Sequence, residues 1–240
     1  MGANTTVLTD ALIALNGENL AQGANEMTLT LGTNTENNNC FGTRSENSTY
    51  TLKTASGSVG GFYAPEGSDV LFRDILQNDV DPQLLAAAVD QTEGQVAYIL
   101  GVRITSHTFG GNHGELSKYS ADFASANPEI RIGTLMNVGQ LTATGPLTSQ
   151  ELTALSATQR LYGQMHITAV SGGTPSLDIK VESDVDAGFA SPVDRLTFTT
   201  ATEKGAEQLN TLGPITDTFY RFNVTAISGT FDVILVLAIN

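Results

Sequence analysis

The chain has 240 residues, 40% of them hydrophobic and 15% charged, with no tryptophan and a formal net charge of −14. Acids outnumber bases 15 to 6 up to position 135 and 10 to 5 beyond it, and no basic run interrupts either half. The electrostatic footprint of a protein that grips phosphates is therefore missing. The single cysteine, Cys40, excludes an intrachain disulfide and a thiolate metal cluster.

The polar remainder is mostly Thr, Ser, Asn and Gly, a mixture that favours strands and turns over helices. The amino end, MGANTTVLTD, lacks a positive n-region and a long apolar stretch, so no cleaved leader is expected. Met27, Leu29 and Leu31 alternate with Thr28 and Thr30, predicting a half-buried strand after a looser amphipathic segment. The polar stretch Asn34 to Ser48 then reads as a long loop or the tip of an extended hairpin, before Tyr50, Leu52 and Thr54 resume the alternation.

A helix is expected near Asp69 to Gln77, with Val70, Leu71, Ile75 and Leu76 on one face and Ser68 or Asp69 as its cap. Leu84 to Val89 and Val96 to Ile104 are apolar runs of strand length, and Ser106 to Glu115 reads as a turn. Tyr119, Ala121 and Phe123 alternate with Lys118, Ser120 and Asp122 in a further strand, and Ile130 to Leu135 closes this half. Asn137 to Ser156, rich in Gly, Thr and Ser, reads as a linker.

Five strands follow, over Leu161 to Val170, Leu177 to Glu182, Leu196 to Thr200, Phe219 to Ala226 and Phe231 to Ile239. Gly172-Gly173, Asp186 to Gly188 and Ser228-Gly229 punctuate them, a spacing that suggests a β-sandwich or jelly-roll-like module. The last run, FDVILVLAI, is apolar on both faces and predicts a central strand covered on both sides. At its longest, Val233 to Ile239, it falls far short of the roughly 20 residues of a membrane-spanning helix. No repeat of solenoid or propeller length is present.

No residue pattern marks a catalytic site. His107 and His113, with Glu115 nearby, lie in a glycine-rich turn and have no defined ligand spacing. His166 alternates with apolar neighbours and reads as a solvent-facing or edge residue. Glu182, Asp184 and Asp186 before Gly188 suggest the start of a calcium loop, and Asp184 and Asp186 are weak metal candidates. The glycine comes one place late, and no bidentate Glu follows at the required distance. There is no nucleophile elbow, no phosphate-binding Gly-Lys-Ser/Thr loop and no dinucleotide fingerprint, so neither an enzyme nor a cofactor is expected.

The path from MTLTLGTNTENNNCFGTRSENSTYTLKTASGSVGGFY, through a short helix, to strands ending GELSKYSADFASANPEIRIGTL resembles the tail-tube proteins of long-tailed bacteriophages. Those proteins are similar to the ring proteins of type VI secretion tubes. The resemblance implies a β-barrel or β-sandwich with one flanking helix, whose copies form stacked, often hexameric rings around a DNA channel. A second stretch, SATQRLYGQMHITAVSGGTPSLDIKVESDVDAGFASPVDRLTFT followed by GPITDTFYRFNV, looks like a β-sandwich module of phage virion proteins.

The expectation is thus an all-β chain with a tail-tube-like domain over 1–136, a linker over 137–156 and a jelly-roll-like surface module over 157–240. Asn34, Asn38, Arg44 and Ser48 fall in an arm expected to reach a neighbouring subunit or ring. The partners implied are copies of the chain, other tail proteins and duplex DNA passing without specific binding. Assembly in a host cytoplasm and residence in a virion tail follow from the same resemblance. A capsid decoration protein and a carbohydrate- or receptor-binding module use the same all-β parts, although the absence of Trp weakens the sugar reading.

Overall fold

The computed structural model describes residues 11–21, 23–37, 48–63, 68–78, 83–126 and 130–240. Among the described residues the chain is all-β with one helix. In order it forms β1 (Leu12–Leu15), β2 (Glu18–Asn19), β3 (Ala24–Asn37), β4 (Ser48–Phe62), α1 (Ser68–Asn78), β5 (Gln83–Ala88), β6 (Val96–Gly110) and β7 (Lys118–Ser125). There follow β8 (Arg131–Leu141), β9 (Gly145–Pro146), β10 (Gln150–Glu151), β11 (Arg160–Asp184), β12 (Val193–Thr197), β13 (Gly205–Leu212) and β14 (Phe219–Ile239).

Two compact units result, both discontinuous in sequence: residues 1–21, 84–99 and 131–240, and residues 22–83 and 100–130. The division expected across 137–156 does not coincide with theirs. That segment is itself strand-forming, because residues 137–141 end β8 and both β9 and β10 pair with β14.

The larger unit is organised by the antiparallel pair of β11 and β14, which runs with register shifts from Leu161 opposite Ile239 to Asp184 opposite Phe219. Its strand order is β12-β11-β14-β8-β6-β5-β1-β2, with β13 added to β11. The alternation along Phe231–Ile239 serves two cores, as its sequence predicts. Val233, Leu235 and Leu237 join Leu161, Met165, Phe222 and Leu196 on one face. On the other, Ile234, Val236 and Ala238 join Leu12, Ala14, Ala86, Ala97 and Ile99. Each such large side chain taken fully out of water contributes about 1.5–3 kcal/mol, so β14 is the strand the unit can least lose.

The glycines expected to separate four strands instead bend two. Gly172 and Gly229 have φ of +126° and +86°, and a Cβ on Gly229 would sit 2.4 Å from the Ser171 carbonyl oxygen, so only glycine lets the bent strands approach this closely. β13 has no counterpart in the sequence reading. Its GAEQLNTL is half-exposed nearly throughout, so no period-2 pattern marks it.

In the smaller unit the order is β3-β4-β7-β6. The turn expected over Ser106 to Glu115 starts later, since β6 continues pairing with β7 as far as Gly110 opposite Lys118. β7 follows its predicted alternation, with Tyr119, Ala121 and Phe123 buried and Lys118, Ser120 and Asp122 exposed. α1 covers the buried face. Its contact stripe centres on Phe72 and Ile75, one turn apart, while Leu76, expected on the same face, is 42% exposed. Among the described residues no helix is long and apolar enough to cross a membrane.

Candidate assembly surfaces

The two faces of the β3-β4-β7-β6 sheet are chemically opposite. Beneath α1 the Phe72 ring lies 5.6 Å from that of His107 and 5.8 Å from that of Tyr119, and the Tyr63 and Phe109 rings stack at 5.6 Å. His107 is therefore a member of an aromatic cluster, while His113 lies exposed in the turn beyond β6. In that turn the Asn112 amide donates to Glu115 at 3.1 Å.

The other face is an uncovered lattice of small hydroxyl groups. One row across the four strands is Thr28, Ser58, Asp122 and Ser106, and the next is Glu26, Gly60, Ser120 and Thr108. The Thr28 and Ser58 hydroxyls lie 2.9 Å apart, and Ser106 donates to Asp122 at 2.7 Å. The charges on these rows and their flanks balance, Glu26 and Asp122 against Arg103 and Lys118. A shallow trough of about 470 Å³ runs between Glu26, Ser58, Gly60, Thr108, Lys118 and Ser120. Phe62, opposite Lys118 in the β4–β7 pair, is 44% exposed.

β3 is the free edge of this sheet, pairing with β4 alone among the described residues. Its Leu31 is 49% exposed. A long edge strand with unpaired backbone groups and an exposed apolar side chain is a template for another strand. The β3–β4 pairing continues to Asn37 opposite Ser48. Ser48 is thus paired in β4 and Asn34 lies at a register shift within β3, whereas Asn38, Arg44 and Cys40 lie outside the described residues.

The calcium candidates occur where β11 meets the turn to β12, and each accepts backbone N–H groups there. Asp184 accepts the backbone N–H groups of Asp186 at 3.1 Å and Ser191 at 2.8 Å, and Asp186 accepts that of Gly188 at 2.9 Å. Both carboxylates shape the turn. Among the described residues no group of three or more His, Cys, Asp or Glu is arranged to hold a metal ion.

Glu182 lies apart, at the centre of an ionic cluster on β11 and β14. Its carboxylate receives Lys180 at 2.9 Å, the Asn223 amide at 2.8 Å and Arg221 at 2.8 Å, and the Arg221 guanidinium in turn lies over the Phe189 ring at 4.0 Å. Burial pushes the Glu182 carboxyl up, but the bonds from Asn223, Lys180 and Arg221 outweigh it and hold the group below its ordinary value. Beside it Arg195 and the Ser183 hydroxyl both donate to Asp217, at 2.8 and 2.6 Å.

His166, expected at an edge or facing solvent, is fully buried. The reason is that β11 is covered on both faces from Leu161 to Ile167, and no alternation of side chains reveals such a strand. Burial lowers its pKa to about 3, so the ring is neutral. Nδ1 accepts the N–H of Gly17 at 3.3 Å, which places the ring proton on Nε2. The Gln164 amide is 2.8 Å from Nε2. The same amide nitrogen donates to the Leu85 carbonyl at 3.4 Å.

No family model and no curated protein matches the sequence. Among solved structures, a chain from the virion of the native gene transfer agent particle is similar at a TM-score of 0.45 and 18% identity, over 53% of this chain and 98% of that one. A chain from the tail of the empty gene transfer agent particle, described with C6 symmetry, gives 0.43 and 19%, over 52% and 97%. The SPP1 Dit protein, described as a paradigm of the hub adsorption apparatus in Gram-positive-infecting phages, gives 0.33 and 9%, over 96% and 99%. Values this low assign no role to the chain.

Proposed function

We propose that the chain is a structural subunit of a phage-type tail, whose copies close into stacked rings around a channel for duplex DNA. The observation that carries this reading is the two-faced sheet of the smaller unit. One face is filled by α1 and an aromatic core, the other is bare hydroxyl, and among the described residues the β3 edge lacks a second neighbour. In a monomer that edge is a liability, whereas in a ring it is the means of closure. A bare face of hydroxyls with balanced charge suits a channel wall, because it offers passing phosphates no stripe of cations to release counterions against. The tail-tube resemblance of residues 20 to 135 supports the same assignment.

Two further parts belong to the proposal. The hairpin over Asn34 to Ser48 is the arm that reaches a neighbouring copy or ring, and strands between 157 and 240 serve the particle's outer surface. Electron microscopy of the purified full chain, and of a variant lacking residues 38–47, tests both role and arm. Stacked rings with a pore near duplex width support the tube. Knobs on a shell support decoration instead, and a monomer that binds glycans supports recognition. Normal tubes from the deletion variant reject the arm.

A further inference from the structure

The turn between β1 and β2 carries a latent reaction. Asn16 and Gly17 form a two-residue hairpin turn with φ of +48° and +84°, the left-handed pair that Asn-Gly adopts most readily. Asn16 is exposed and Gly17 is buried. The turn is held from several directions. The Asn16 N–H donates to the Leu84 carbonyl at 2.9 Å, the Gly17 N–H donates to His166 Nδ1 at 3.3 Å, and Lys204 pairs with Glu18 at 2.7 Å. A Cβ on Gly17 would lie 2.5 Å from the Gly205 nitrogen and 2.7 Å from the Ile167 carbonyl oxygen, so backbone closes around this residue.

We propose that Asn16–Gly17 is a deamidation site kept silent by docking of the first hairpin, with His166 as the positioning residue that holds the Gly17 nitrogen away from reaction. In a free Asn-Gly peptide the glycine nitrogen gives its proton to solvent and attacks the Asn16 Cγ. The Cγ–Nδ2 bond breaks and ammonia leaves, forming a succinimide. Water then opens the ring at either carbonyl, giving an aspartate or an isoaspartyl linkage whose backbone is one methylene longer. In the docked turn the attacking nitrogen's proton is committed to His166. The rotation that would bring the nitrogen to Cγ is opposed by the backbone of Gly205 and Ile167. An isoaspartyl linkage does not fit where even a Cβ has no room, so the reaction permanently marks chains whose first hairpin has come undone.

The test is peptide mass spectrometry of the full chain incubated at mildly alkaline pH, with and without denaturing urea. It reads the exchange of ammonia for water at Asn16 and the isoaspartyl content. The native chain is expected to react at least about 100-fold more slowly, equivalent to a local opening free energy of about 2.7 kcal/mol. Equal rates overturn the proposal, as does conversion in this peptide of Asn16→Gln. His166→Leu removes the acceptor and should raise the native rate roughly tenfold or more, while His166→Gln retains an acceptor and should stay near the parent. A folded His166→Leu chain reacting at the parent rate removes His166 from the proposal. If that variant does not fold, hydrogen exchange at the Gly17 amide of the parent decides. Protection matching the suppression of deamidation supports the role, and an unprotected amide overturns it.

Discussion

Gly57 of β4 lies directly opposite Phe123 of β7, and the ring covers it so closely that a Cβ at position 57 would come 2.5 Å from Phe123 Cζ. The same Cβ would sit 2.2 Å from the Thr28 carbonyl oxygen on the other neighbouring strand. The Thr28 carbonyl belongs to a paired strand and cannot give way. Gly57→Ala is therefore expected to cost about 1–3 kcal/mol through overpacking, and Phe123→Ala about 3–5 kcal/mol through the cavity it leaves. Urea midpoints check both. In the double variant the ring's share of the glycine cost is relieved and the carbonyl's share remains, so the two costs should fall short of additive. Full additivity would show that the ring and the glycine do not interact.

His166 makes the larger unit sensitive to mild acid. Its folded pKa is about 3 against an ordinary 6.5, so below pH 6.5 the unfolded chain takes up a proton that the folded chain refuses. Stability is full above that value and falls as pH drops toward the folded pKa, by about 1.4 kcal/mol per pH unit. The window from pH 6.5 down to 4.5 precedes carboxylate titration and isolates the histidine. Equilibrium unfolding across it should slope in the parent and be nearly flat in His166→Gln. Parallel slopes in the two would disprove the assignment.

Glu182 acts in a different window. Its carboxyl is held below the ordinary 4.5 by Asn223, Lys180 and Arg221 despite burial. The unfolded chain protonates first, so this stabilisation is complete above pH 4.5 and is lost as pH falls through the lower folded value. Glu182→Ala leaves Arg221, 17% exposed, without the carboxylate that neutralises it, while Lys180 keeps Asp194 at 2.7 Å. A loss of about 3 kcal/mol at neutral pH is expected, because breaking one side of a buried pair costs more than the pair contributes. Chemical denaturation of the variant at pH 7 and pH 4 reads both claims. A deficit that does not shrink at the lower pH would contradict them.

What could be read in advance depended on whether one face of a strand meets water. The alternation of β7 and the doubly apolar end of β14 carried their burial in their letters. Leu161 to Ile167 did not, because polar Gln164 and His166 occupy a covered face, their side chains 2.8 Å apart. Gly172 and Gly229 carry the composition of turns, yet the bulge they allow keeps β11 and β14 in one ladder. The carboxylates of Asp184 and Asp186 were visible as a cluster, but the backbone N–H groups that occupy them depend on the turn's path. The hydroxyl face was latent in the Thr and Ser positions of β3, β4, β6 and β7. Only the register brought Thr28, Ser58, Asp122 and Ser106 into one row, since their separations in sequence carry no period.

The ring proposal turns on the β3 edge, and Leu31 offers a direct probe. The side chain is 49% exposed, so Leu31→Lys removes little burial and should change monomer stability by about 0.5 kcal/mol or less. A lysine ammonium on an edge strand opposes the approach of another strand, because docking would strip its water without supplying a partner. Leu31→Lys is therefore expected to keep the parent's melting curve while losing tubes in electron micrographs, and Leu31→Met should keep both. Tubes of normal length from Leu31→Lys would show that β3 is not the closing edge. Loss of tubes together with a lowered melting temperature would mean that Leu31 supports the fold of the smaller unit and not the contact between copies.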